Sequence, residues 1–145
     1  MKIVVAVDGS DPANRAVQWC AKNAAALDAE VVVVHAIHLP MDAPVVDLDV
    51  SPPVLIPSPS PEYRAELHEH ITNVWCDSLA RANVPYQVVL TDNDPVSAII
   101  EAAETEQADL VVTGRRGRGG LAELVLGSTT HALTHHLDRP LVIVP

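Results

Sequence analysis

Short runs of β-branched and aliphatic residues recur along the chain and predict five strands. The runs are bounded by polar residues, glycine or proline, and they lie at residues 3–7, 31–34, 86–90, 110–112 and 141–144. Apolar runs with little alternation are typical of parallel strands that are buried on both faces of a sheet. The chain therefore carries the strand pattern of a parallel sheet.

Between these runs the apolar spacing changes to that of an amphipathic helix. In the first helix one stripe is formed by Ala13, Ala16, Val17, Cys20, Ala24 and Leu27. Asp11 provides an N-cap and Pro12 a first helical residue. Further helices are predicted over residues 62–83, where Val74 belongs to the buried stripe, after Asp94, and from Ser128 to before Pro140.

The alternation of strands and helices predicts one α/β domain over residues 1–145, with an open five-stranded parallel sheet and helices on both of its faces. Residues 40–61 interrupt the alternation, because seven of the twelve prolines fall there. This segment is interpreted as a long loop between the second strand and the second helix. A lid over a ligand and a spacer are both open interpretations.

Composition narrows the possible partners. The formal net charge is −10, and Lys2 and Lys22 are the only lysines. Such a chain lacks the basic surface on which affinity for nucleic acid depends. No apolar run approaches the length of a membrane span and no signal peptide is recognisable, so a cytoplasmic protein is expected. Cys20 and Cys76 lack metal-ligand spacing and are expected to be buried thiols.

Five of the six glycines lie between residues 114 and 127, directly after the fourth predicted strand. Glycine allows the backbone to approach an anion, and the N-terminus of the following helix adds a partial positive charge. The pattern therefore predicts a phosphate site in which Ser128 caps the helix and offers its hydroxyl to a phosphate. An aspartate at Gly114 or Gly127 is expected to abolish binding without unfolding the protein.

Two common nucleotide motifs do not account for this loop. A P-loop requires a lysine, and none follows Lys22. Residues 117–122 satisfy a dinucleotide fingerprint, but Val142 stands where the ribose-binding acid is required. His131 and His135 are four residues apart without the glutamate of a zinc protease motif, so helical histidines that face solvent are expected.

The spacing Gly114-x2-Gly117-x9-Gly127-Ser128 resembles the nucleotide-binding signature of the universal stress protein family, and residues 5–10 resemble its first strand and turn. The resemblance covers nearly the whole chain. It implies a sheet in the order 3-2-1-4-5, a homodimer through the last strand (residues 140–145), and ATP, ADP or AMP as ligand. One branch of the family lacks these glycines and binds no nucleotide, whereas this chain retains them.

By the same resemblance, eleven residues would surround the nucleotide: Val7, Asp8 and Ala36 on the nucleoside side, and Thr113, Gly114, Arg116, Gly117, Gly127, Ser128, Thr129 and Thr130 around the ribose and phosphates. Asp8 is a candidate ligand for Mg²⁺ or the ribose, although an Asp at a strand end also stabilises a turn through an Asx hydrogen bond. Trp19 and Trp75 are expected to pack helices.

The expected function is a nucleotide-binding regulatory protein of the stress response, with no catalytic residue assigned. Phosphoryl transfer needs a cationic clamp, a metal and a positioned base. Only arginines and one carboxylate are available for these roles. Slow ATP hydrolysis and self-phosphorylation at Ser128, Thr129 or Thr130 stay open. Two alternatives remain: a nucleotide-independent dimeric interaction module, and an enzyme that uses the same crevice for a small substrate.

Overall fold

Strands and helices alternate along the chain, as the apolar pattern predicts. The computed structural model describes residues 1–37, 58–118 and 126–145. The elements are β1 (Lys2–Ala6), α1 (Asp11–Asn23), β2 (Glu30–Ala36), α2 (Pro61–His70), a π-helical turn (Ile71–Trp75), α3 (Asp77–Arg81), β3 (Tyr86–Thr91), α4 (Pro95–Thr105), β4 (Leu110–Gly114), α5 (Ser128–His136) and β5 (Leu141–Val144).

The five strands form one parallel sheet in the order β3-β2-β1-β4-β5. Val5 of β1 lies opposite Val33 of β2 on one side and Val112 of β4 on the other. The predicted fold class and strand order are both confirmed. In this order β1 and β4 are adjacent at the centre, so their carboxyl ends meet at one edge of the sheet.

Two apolar cores cover the faces of the sheet. Along β1, Ile3 and Val5 belong to the core beneath α1 and α3, whereas Val4 belongs to the core beneath α4 and α5. This alternation follows from the two-residue period of a strand. Cys20 and Cys76 are buried in the first core, as expected.

The start of α4 agrees with the sequence, whereas the cap of α1 does not. Asp94 Oδ1 accepts hydrogen bonds from the amides of Val96 and Ser97, both at 3.1 Å, and so caps α4 as predicted. At α1 the N-cap is Ser10, and Asp11 is the first helical residue. The prediction of Asp11 as the cap was therefore wrong by one position.

The predicted helix over residues 62–83 is divided by the π-helical turn. The amide of Cys76 donates to Ile71 O at 2.9 Å, five residues earlier. The extra residue in this turn brings Ile71 and Cys76 to the same buried side and turns Val74 outward, where its side chain is 56% exposed. The assignment of Val74 to the buried stripe was wrong for this reason.

Most of the predicted loop over residues 40–61 lies outside the described residues, apart from its end, where Ser60 caps α2. None of the helices in the described part of the chain is long and apolar enough to cross a membrane.

Candidate functional site

A cavity of about 980 Å³ opens at the carboxyl ends of β1, β2 and β4. All eleven residues that the sequence singled out line it: Val7, Asp8, Ala36, Thr113, Gly114, Arg116, Gly117, Gly127, Ser128, Thr129 and Thr130. Parallel strand order brings these distant segments together at the edge where ligands of open α/β sheets bind. Their predicted contacts with a nucleotide stay a prediction.

The first turn of α5 presents its backbone amides to this cavity. Gly127, not Ser128, is the N-cap, and no side chain caps the helix. The expected capping role of Ser128 was therefore wrong, and its exposed side chain is not used by the cap. Within the described residues the amides of 128–130 have no hydrogen-bond partner, so they carry the partial positive charge of the helix end.

Two buried threonines fix α5 to the end of β4. Thr130 Oγ1 donates to the carbonyl oxygen of Gly114 at 2.9 Å, and Thr113 Oγ1 donates to the same oxygen at 3.0 Å. These hydroxyls hold the helix N-terminus in place. Of the three hydroxyl residues considered for self-phosphorylation, Thr130 is thus already engaged within the protein.

The glycines of the loop serve different purposes. A Cβ at Gly114 would lie 2.6 Å from the carbonyl carbon of Pro12, so Gly114 allows α1 to approach β4. This contact opposes the expectation that Gly114→Asp leaves the fold intact, which stays a prediction. A Cβ at Gly117 would lie 2.5 Å from Asp8 Oδ2, and one at Gly127 would lie 3.1 Å from Arg116 Cα. Glycine at these two positions lets residue 117 lie against the Asp8 carboxylate and residue 127 against the backbone of Arg116.

Asp8 acts as the acceptor at the centre of the β1 turn. Its Oδ1 accepts from the amide of Ser10 at 3.0 Å and from Ser10 Oγ at 2.6 Å, and its Oδ2 accepts from the amide of Arg118 at 3.0 Å. The Asx hydrogen bond expected as the alternative role of Asp8 is therefore present. The described residues contain no group of three or more His, Cys, Asp or Glu that could hold a metal ion.

Arg116 brings a cationic side chain to the cavity. The side chain is half-buried, and its Nε is buried without a hydrogen-bond partner within the described residues. A buried donor without an acceptor is costly, so the described residues leave this guanidinium incompletely paired. Arg115, its neighbour, is exposed and does not line the cavity.

Sequence reasoning missed an aromatic wall formed by Trp75 and His35. Trp75 packs against the first core, as expected, and it also lines the cavity. His35 Nδ1 lies 2.8 Å from Val7 O, and burial lowers the pKa of the imidazole, with a further contribution from Arg118. The position of His35 at the end of β2 was the signal that could have identified it.

The chain is similar to proteins of known family over its whole length. It is 33% identical to a universal stress protein of Thermus aquaticus, over 98% of this chain and 96% of the relative. Among solved structures it resembles a universal stress protein in complex with cAMP, with 23% identity, 99% and 95% of the two chains covered and a TM-score of 0.71.

It also resembles the universal stress protein from Archaeoglobus fulgidus in complex with dAMP, with 22% identity, 100% and 98% coverage and a TM-score of 0.67. At these identities the two structures show a shared fold. The Universal stress protein family profile matches residues 1–145 in full, and the chain belongs to this family.

Proposed function

We propose that the protein binds an adenine nucleotide in the cavity at the carboxyl ends of β1, β2 and β4. The observation that carries the proposal is the pairing of two kinds of donor around one cavity. The amides at the start of α5, which have no hydrogen-bond partner among the described residues, and the side chain of Arg116 both lie at its β4 side. Helix N-termini and arginine are the standard partners of phosphate.

In this arrangement the phosphates lie against Gly117, Gly127, Ser128 and Thr129, with Arg116 beside them. The nucleoside extends toward Val7, Asp8 and Ala36 at the ends of β1 and β2. The relatives whose structures hold cAMP and dAMP support an adenine ligand. ATP, ADP and AMP share the groups that these residues would recognise.

Among the described residues, the site offers Mg²⁺ few protein ligands. Asp8 supplies one carboxylate, which is sufficient where the phosphates of the ligand complete the coordination. Oδ2 of Asp8 accepts one hydrogen bond, from the amide of Arg118, and keeps a second lone pair with which it would hold the ion. Asp8 would hold Mg²⁺ at the β1 turn, where the ion would offset the negative charge of the phosphates.

We assign the protein a regulatory role rather than a catalytic one, with ATP turnover slow at most. Oδ1 of Asp8 is used by Ser10 in the β1 turn and Oδ2 by the amide of Arg118, and the hydroxyl of Thr130 is used by Gly114 of β4. A stress-response function in the cytoplasm and a homodimer through β5 belong to the same proposal. β5 lies at the edge of the sheet, flanked by Pro140 and Pro145.

Titration calorimetry with ATP, ADP and AMP tests this function. Arg116→Gln removes the charged donor and is expected to weaken binding by about 10- to 150-fold, the cost of losing a hydrogen bond to a charged group. Arg115→Gln is the matched control, because Arg115 is exposed beside it, and is expected to bind as the wild type does. Equal affinities for both variants, or no binding by the wild type, would contradict the proposal.

A further inference from the structure

Two histidines that the nucleotide cavity does not use lie one helical turn apart on α5. His131 and His135 are both exposed, and neither lines the cavity. The helix packs onto the protein through Thr130 and Leu133, which are buried on its other side. Residues four apart in a helix are neighbours on its surface, so the two imidazoles lie side by side in solvent.

The distance between the two rings matches that of two imidazoles on one metal ion. Their centroids lie 4.9 Å apart, with an angle of 78° between the ring planes. At a metal–nitrogen distance of about 2.0–2.1 Å, each centroid lies about 3.2 Å from the ion, and ligand angles of about 90–110° then separate the centroids by about 4.5–5.2 Å. The angle between the planes sets no restriction, because each ring can rotate about its own metal–nitrogen bond.

The ring nitrogens of both residues are available to an ion. Thr134 Oγ1 donates to the carbonyl oxygen of His131 at 2.6 Å, which involves the backbone and leaves the ring unused. In the described part of the chain, no hydrogen bond or ion pair uses either imidazole. The terminal torsion of a histidine side chain has broad minima, so each ring can turn a nitrogen toward a shared ion at little cost.

We propose that His131 and His135 form a surface site for a divalent transition-metal ion, with Cu²⁺ bound more tightly than Zn²⁺. Neutral imidazole is the commonest metal ligand in proteins, and it suits both ions. For nitrogen ligands the affinity is highest at Cu²⁺ and falls again at Zn²⁺. The described residues offer no third protein ligand, so water completes the coordination and the ion exchanges with solvent.

This site is separate from the nucleotide cavity and does not depend on the proposed function. Mg²⁺ prefers oxygen ligands, so two imidazoles discriminate against the ion that Asp8 would hold. An ion shared by His131 and His135 joins two successive turns of α5 and stabilises the helix against fraying. The first turn of the same helix presents the amides of 128–130 to the cavity.

His136 is a matched control within the same helix. It follows His135 directly and is also exposed on α5. Consecutive residues of a helix do not face each other, so His136 cannot complete a pair with His135 on one side of the helix. A variant at His136 therefore removes one exposed imidazole from α5 and leaves the proposed site unchanged.

Calorimetric titration of CuCl₂ and ZnCl₂ into the nucleotide-free protein without an affinity tag tests the site. One ion per chain is expected, with the lower dissociation constant for Cu²⁺. His131→Gln and His135→Gln should each weaken Cu²⁺ binding by at least about tenfold, because the second imidazole of a pair binds at a high effective concentration. His136→Gln should bind as the wild type does.

Three results of this titration would overturn the site. They are an absence of Cu²⁺ binding by the wild type, wild-type affinity in both His131→Gln and His135→Gln, and equal weakening by His136→Gln. The double variant His131→Gln/His135→Gln should lose little more affinity than either single variant, because the two histidines act as one unit. Losses that simply add would show two independent histidines instead of a shared site.

Electron paramagnetic resonance of the Cu²⁺ complex identifies the ligands directly. We expect hyperfine coupling to two imidazole nitrogens in the wild type and in His136→Gln, and to one in His135→Gln. The same coupling pattern in all three proteins would overturn the assignment of His135 as a ligand.

Thermal unfolding shows whether the ion binds the folded helix. Zn²⁺ at about 100 times its dissociation constant should raise the Tm of the wild type and of His136→Gln by up to about 5–11 °C. His135→Gln should show no such rise, and MgCl₂ in place of ZnCl₂ should give none in the wild type. Equal rises in all three proteins with Zn²⁺ would mean that the ion binds elsewhere.

Discussion

The amide of Arg118 donates a hydrogen bond of 3.0 Å to Oδ2 of Asp8, which lies 110 residues earlier in the chain. This bond joins the glycine loop after β4 to the turn after β1, across the mouth of the cavity. The same carboxylate holds Ser10, the N-cap of α1, through Oδ1. Asp8 therefore organises two loops before any ligand or metal ion binds.

Asp8→Asn is expected to weaken the link between the loops, because an amide cannot accept hydrogen bonds at both of its terminal atoms. We expect the free energy of unfolding to fall by about 1 kcal/mol, measured by urea titration. The enhancement of ATP binding by Mg²⁺ should also disappear. Asp11→Asn is the control, since Asp11 is exposed on α1. A Mg²⁺ effect that persists in Asp8→Asn would exclude this carboxylate as its ligand.

Alanine at two glycines should separate stability from binding. Gly114→Ala places a Cβ 2.6 Å from the backbone of Pro12 and is expected to reduce the free energy of unfolding by about 1–3 kcal/mol. Gly127→Ala meets Arg116 Cα at 3.1 Å, so we expect a smaller loss of stability and a larger loss of nucleotide affinity. Urea titration and calorimetry on both variants measure the two effects. The reverse order would contradict the roles assigned to these glycines.

His35 should make folding stability depend on pH. Burial holds the pKa of the folded imidazole below its ordinary value of about 6.5, so the unfolded chain binds the proton more readily. The contribution is present above pH 6.5 and is lost as the pH falls from there through the folded pKa. Urea titrations between pH 8 and pH 5 should show a smaller loss for His35→Leu than for the wild type.

His68→Gln is the control for this pH dependence, because His68 is exposed on α2. It should lose stability with falling pH as steeply as the wild type. A His35→Leu profile parallel to that of the wild type would show that the imidazole is equally easy to protonate in both states.

The two thiols should be inert in the folded protein. Burial raises the pKa of Cys20 to about 12 and that of Cys76 to about 11, so neither forms the reactive thiolate near neutral pH. A colorimetric disulfide reagent at pH 8 is expected to label neither thiol until guanidinium unfolds the chain, and then to label both. Rapid labelling of one thiol in native buffer would contradict the burial of that side chain.

The sheet could be predicted because its strands appear as apolar runs along the chain, and the strand order could be predicted because the family resemblance implies it. Runs such as residues 31–34 identify buried parallel strands, and the spacing from Gly114 to Ser128 identifies the family. Parallel order then places Asp8 and the glycine loop at one edge. The eleven candidate residues line one cavity for that reason.

Features that depend on a single residue of register could not be predicted. The apolar spacing around Val74 fits an uninterrupted helix, and only the packing of Ile71 and Cys76 in the core shows that one extra residue is accommodated in a wider turn. The place of Trp75 in the cavity wall follows from that turn. The reason why position 114 is a glycine could not be predicted either, because Pro12, which lies against it in the fold, is distant in sequence.

The carbonyl oxygen of Gly114 links the first turn of α5 to the edge of the sheet. It accepts from Thr130, while Gly114 pairs with Val144 on β5 and the amide of Arg115 donates to Val144 O at 2.7 Å. Two hydrogen-bonded steps therefore connect the helix N-terminus to the edge strand. If a partner that binds the edge strand changes the affinity for the nucleotide, thermodynamic linkage requires the nucleotide to change the affinity for that partner by the same factor.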